Sequence, residues 1–100
     1  MYRYTTAVPA PQEYLRDLYM LFAAVETTHE AKILLEDILT PQEVDSLAER
    51  WQLIQKLHAG EPQRNIAKEL GVSISKITRG SRMLQYGSGG FVHFLKKLNT

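Results

Sequence analysis

Apolar positions recur at helical spacing through most of this chain. From Gln12, the residues Leu15, Leu18, Tyr19, Phe22 and Val25 follow the three- and four-residue steps that line one face of a helix. They predict a first helix to about Thr27. Thr28 is placed to cap a second, shorter helix carrying Ala31, Leu34, Leu35 and Ile38. The next boundary is written in Thr40-Pro41-Gln42-Glu43: a hydroxyl N-cap, proline at the first helical position and glutamate three residues on. This is the capping box, in which Thr40 and Glu43 each satisfy the other's amide. Val44, Leu47, Ala48, Trp51, Ile54 and Leu57 then form one stripe, and Gly60 is placed to close the helix in a left-handed conformation.

Beyond Glu61-Pro62, two short helical stretches flank Gly71. A last helix from about Gly90 sets Phe91, Phe94, Leu95 and Leu98 on one face. Tyr86-Gly87-Ser88-Gly89-Gly90 between them reads as a flexible loop. No run alternates with period two and no hairpin turn is present, so strands are not expected. Residues 1–11, with two prolines and no periodicity, read as a flexible N-terminal arm. The expectation is an all-α chain of about six helices, with one domain over residues 12–100.

Gln63 to Arg82, QRNIAKELGVSISKITRGSR, obeys a tighter set of constraints. Ala67 is small where two helices would approach most closely. Gly71 falls at a turn that requires positive φ, and Ser73 can cap the helix that follows. Ile66, Leu70, Val72, Ile74 and Ile77 can fill the interior. These positions in register describe a helix-turn-helix over about residues 63–84. What remains outside the packing positions is polar or basic: Gln63, Arg64, Lys68, Ser75, Lys76, Thr78, Arg79 and Arg82. In such a unit the second helix enters the major groove N-terminus first. Ser73, Ser75 and Lys76 would then face base edges, and Ile74 is a candidate for thymine methyls as well as for the interior. Lys68, Arg79 and Arg82 suit phosphates, which position the protein without reading sequence. Arg64 has the reach for a bidentate contact with guanine.

Charge supports this division. Pro11–Glu49 holds two basic and nine acidic residues, a balance of 2 − 9 = −7, whereas Pro62–Gln85 holds five basic and one acidic, 5 − 1 = +4. The net charge of +1 hides an acidic first half and a basic second half, a polarity that suits one face toward a polyanion. A protein-interaction hairpin with a solvated polar face is the alternative reading.

Other chemistry finds little footing. The chain has no cysteine, hence no disulfide framework and no thiolate. His29, His58 and His93 lack partners at metal-binding spacing. The serines lack the strand-turn-helix elbow of a nucleophile. Glu36 and Asp37, adjacent on a helix, diverge rather than converge. Met20 and Met83 read as core or pocket filler. No catalytic residue, metal or cofactor is expected. No apolar run approaches the roughly 18–20 residues of a membrane span, and the N-terminus lacks a signal-peptide pattern, so a cytoplasmic location with no membrane partner is expected.

The stretch from about Leu39 to Leu84 resembles the trp repressor family. The likeness is strongest at Leu39-Thr40-Pro41, Arg50, Gly60-Glu61, Gln63-Arg64, Glu69-Leu70-Gly71 and Ile77-Thr78-Arg79-Gly80-Ser81. The resemblance implies an intertwined homodimer that represses transcription at a double-stranded DNA operator, with L-tryptophan as co-repressor in pockets built from both subunits. Arg50 and Arg79 would sandwich the indole, one of them also pairing with the ligand carboxylate. Gly80 would leave room beside the helix. Backbone carbonyls near Asp37 and Leu39, with Thr40 close by, would face the ligand's amino group from the partner subunit. Met83 stands where the family has a serine for that amino group, and Asp37 adds a carboxylate to the same region. Between Gly60 and Gln63 the chain is one residue shorter than the family pattern. The departure at Met83 keeps anthranilate, another indole acid or no ligand as alternatives. A small chorismate-mutase-like helical enzyme is the further alternative.

Overall fold

The computed structural model describes residues 8–99, and they form six α-helices: α1 (Gln12–Ala23), α2 (Thr28–Ile38), α3 (Pro41–His58), α4 (Gln63–Leu70), α5 (Ile74–Tyr86) and α6 (Gly90–Leu98). The all-α architecture is as the periodicity predicts. The first seven residues of the expected arm lie outside the described residues, and residues 8–11 carry no regular structure. The helices divide into two compact units, with the boundary between Ile38 and Leu39.

In the first unit, the Pro11 carbonyl accepts from the amides of Tyr14 and Leu15 and so starts α1. The helix stops at Ala23, short of the predicted Thr27, because the next helix claims the intervening residues for its own cap. Thr27 Oγ1 accepts from the Glu30 amide at 3.0 Å, and the Glu30 carboxylate accepts from the Glu26 amide at 2.9 Å. The cap of α2 is therefore Thr27, one residue earlier than expected, with the glutamate three residues on completing it. Neither α1 nor α2 contains a buried residue. Met20, expected as filler, is exposed along with Tyr14, Tyr19, Phe22 and Ile33.

In the second unit, α3 opens on the predicted capping box, with Glu43 N–H donating to Thr40 Oγ1 at 3.2 Å and Thr40 N–H to the Glu43 carboxylate at 2.8 Å. Its end is equally defined. Gly60 sits at φ +86°, its amide donates to the Leu57 carbonyl, and the Glu61 amide reaches back to Lys56, both at 3.1 Å. These paired bonds are the Schellman closure. Lys56 also lies 3.6 Å from Glu61 and 3.4 Å from Glu69, linking this corner to α4.

The core joins Leu53 and Ile54 of α3, Ile66 of α4, Ile77 of α5 and Leu95 of α6. Ile54, Ile66 and Ile77 are fully enclosed, and withdrawing each from water favours the fold by about 2 kcal/mol. Leu70, Val72 and Ala67 pack against this cluster, and Trp51 stacks on Phe91 at 6.2 Å between ring centroids. The burial corrects the predicted stripes at several points. Leu53, which the stripe omits, is buried, whereas Leu47, Phe94 and Leu98 are exposed. The buried face of α3 keeps Ile54, with Trp51 and Leu57 of the stripe packed against the core, and is wider than the periodicity suggests, taking in Leu53 about 100° round the helix from Ile54.

Candidate nucleic-acid interface

The helix-turn-helix is assembled by α4 and α5 packed on α3. Gly71 takes the left-handed conformation at φ +65° and ends α4. Ser73 caps α5 by accepting from the Lys76 amide at 3.2 Å. With Ile66 and Ile77 buried, the faces of α4 and α5 turned away from the core carry Gln63, Arg64, Lys68, Ser75, Lys76, Thr78, Arg79 and Arg82, every one exposed. Ile74 joins them at 53% exposed rather than filling the interior. The pair on either side of the turn thus presents four cationic side chains of one sign on α5 and the start of α4, plus Lys68, without a buried polar group.

Between α3 and α5 lies a cavity of about 170 Å³, lined by Ser46, Glu49, Arg50 and Leu53 on one side and Lys76, Arg79, Gly80 and Met83 on the other. Sequence reasoning had no signal for Ser46, Glu49 or Leu53 here, because helix register alone does not say which face of α3 meets α5. Arg50, Arg79, Gly80 and Met83 come together as a set. Leu39 and Thr40 do not line this cavity, and the amide and hydroxyl oxygen of Thr40 are engaged in the α3 cap. Asp37 belongs to the first unit, where it lines a separate cavity with Val25, Glu30 and Leu34.

Gly80 has a packing reason for its lack of a side chain. A Cβ there would collide with Leu53 and approach Leu57 to 3.5 Å, so glycine lets α5 lie close against α3. Guanidinium groups facing a cavity stack on aromatic rings and grip carboxylates as a fork, which Arg50 and Arg79 offer with Lys76 nearby. Glu49 answers with one negative charge, placed 3.1 Å from Lys76. Among the described residues no group of His, Asp or Glu is arranged to hold a metal, and no helix is long and apolar enough to cross a membrane.

A helical core presenting a capped, basic helix beyond a glycine turn defines a helix-turn-helix regulator. The family profile described as Trp repressor protein matches residues 13–99. The chain belongs to the Trp repressor family, whose members are DNA-binding repressors of transcription rather than enzymes. It is 37% identical over 81 residues to a Trp operon repressor homolog of Xylella fastidiosa (strain M23), covering 80% of this chain and 86% of that one. It is 47% identical over 62 residues to a Trp operon repressor homolog of Chlamydia caviae, covering 61% of each. Among solved structures, a TrpR-like protein from Eubacterium eligens superposes with a TM-score of 0.83 at 26% identity, over 89% of this chain and 92% of that one.

Proposed function

We propose that two copies of this chain form an intertwined homodimer that represses transcription at a roughly palindromic DNA operator, with an aromatic amino acid, L-tryptophan, as co-repressor. The observation that carries the effector half of this reading is the cavity joining Arg50 and Arg79 across α3 and α5. Its two guanidinium groups suit an aromatic ring and a carboxylate, and the α5 wall is the reading helix itself. A ligand that bridges these walls favours one orientation of α5, so its binding and DNA binding are coupled with equal strength in both directions.

Two features support a second subunit. The cavity of about 170 Å³ is smaller than the roughly 300 Å³ at which small-molecule pockets begin, so a further wall is needed. The segment Asp37-Ile38-Leu39 of a partner would supply it, with carbonyls toward an ammonium group and Thr40 close by. In addition, α1 and α2 bury none of their apolar side chains within one chain, an arrangement that suits burial against another copy.

On the DNA, Ser73, Ile74 and Ser75 would meet base edges, and Lys76, in the same turn, would reach a base edge or a flanking phosphate. Arg64 would reach a guanine, with Gln63 beside it. Lys68, Thr78, Arg79 and Arg82 would hold phosphates. Met83 favours a second effector, because a thioether cannot replace the hydroxyl that binds an amino group. An aromatic acid such as anthranilate or an indole acid without the α-amine fits the same arginines.

Calorimetric titration with tryptophan, anthranilate and indole acids, followed by gel shifts on the protein's own promoter region, tests the whole reading. Tryptophan is expected to bind and to tighten operator binding at fixed salt. If operator affinity does not change with any of these ligands, the co-repressor role is wrong and DNA binding alone survives. Arg79→Ala is expected to weaken both ligand and DNA.

A further inference from the structure

We propose that Glu49 is an internal competitor of DNA phosphate for the reading helix, holding Lys76 until the duplex displaces it. This inference rests on the DNA-binding reading above and names a residue that tunes it. Lys76 lies in the first turn of α5, the turn that enters the groove, and its backbone is fixed there by the Ser73 cap. Its ammonium group does not stand alone: it lies 3.1 Å from the Glu49 carboxylate, 27 residues away on α3. The pair is exposed on the lysine side, at 62%, and more enclosed on the glutamate side, at 38%. The carboxylate is thus anchored on the rigid α3 scaffold, while the lysine is free to swing outward.

A carboxylate and a phosphate make the same offer to an ammonium group, an anionic oxygen pair at hydrogen-bond distance. Lys76 can therefore serve one or the other. When it leaves for a phosphate, that contact expels a cation from the DNA, but the abandoned Glu49 carboxylate, now beside the duplex, draws in some cation density from solution. The net ion release from this lysine is therefore reduced. With a neutral residue at position 49, the second half of the exchange disappears. The slope of log K against log salt should then steepen, by up to about 0.9 for each reading helix on the duplex. Because the pair is solvent-exposed, its loss should raise affinity by only about two- to fivefold per reading helix at moderate salt.

The test is a salt titration of binding to a random-sequence duplex, which needs no knowledge of the operator because phosphate contacts are independent of sequence. Wild type, Glu49→Gln, Lys76→Gln and the double variant are compared, with helix content and unfolding midpoint checked for each. Glu49→Ser replaces Glu49→Gln if the latter does not fold. Glu49→Gln should bind more tightly and with the steeper slope. Lys76→Gln should cost little in wild type and several-fold more in the Glu49→Gln background, a coupling that a merely structural glutamate would not produce. An unchanged slope, or equal losses in the two backgrounds, overturns the proposal while leaving DNA binding in place. Absence of salt-dependent duplex binding by the wild type removes the DNA-binding reading itself, and the proposal with it.

Discussion

The two halves of this chain treat the same kind of sequence in opposite ways. The helices from Leu39 onward enclose Ile54, Ile66 and Ile77 completely in a core of their own. The two before it carry apolar stripes just as regular, yet bury none of them. An amphipathic pattern is therefore a promise of burial and does not name the partner. In the second half the partner is the same chain, reached through tight turns at Gly60 and Gly71. For the first half, a second subunit is the proposed partner.

Substitutions can break this contrast. The largest effect is expected at Ile66→Ala, which opens a cavity in an enclosed site and should cost about 2–5 kcal/mol, read as a lowered urea midpoint. Phe22→Ala in α1 is the matching probe of the first half. If that face is covered by a second copy, the loss of stability should grow as protein is diluted, because subunit association stabilises by mass action. A concentration-independent change within about 0.5 kcal/mol would mean that α1 stays uncovered.

Gly80→Ala should cost about 1–3 kcal/mol through overpacking against Leu53, and should also shift α5 relative to Arg50. Thermal unfolding with ligand titration separates the two effects. Ser73→Ala removes the cap of the reading helix and should cost about 1 kcal/mol, seen as faster amide exchange in the first turn of α5. The smallest effect belongs to Lys32→Gln, which breaks the exposed ion pair with Glu36 at 3.1 Å and should change stability by less than about 0.5 kcal/mol. A large effect there would show that α2 is constrained by more than its own helix.

Local signals were legible where the chemistry is local. The Thr40 capping box, the positive φ of Gly60 and Gly71 and the Ser73 cap depend on residues within a few positions of one another, so the sequence spells them out. The α2 cap slipped by one residue because two threonines stand side by side and only the spacing to Glu30 separates them. Long-range placement was harder to read. Leu53 was missed because a stripe drawn on one helix cannot say which neighbour it will face. Ile74 fits either side of a reading helix until α3 is in place. Arg50, Arg79, Gly80 and Met83 could be grouped only through family resemblance, since 29 residues separate Arg50 from Arg79. Glu49 carried no signal at all: an acidic residue on an exposed helix is ordinary until its partner is known.

The closure of α3 also bears on where this chain can change length. Between Gly60 and Gln63 only two residues intervene, the Glu61 amide is tied back to Lys56, and Pro62 carries the first carbonyl that α4 uses. An insertion there would rotate α4 off Ile54 and open the core. Ser88 and Gly89, by contrast, stand in irregular backbone outside any helix, with nothing near Gly89 for a side chain to strike. A reporter peptide or epitope tag spliced between them would be tolerated best, because exposed loop tips absorb added length at little cost.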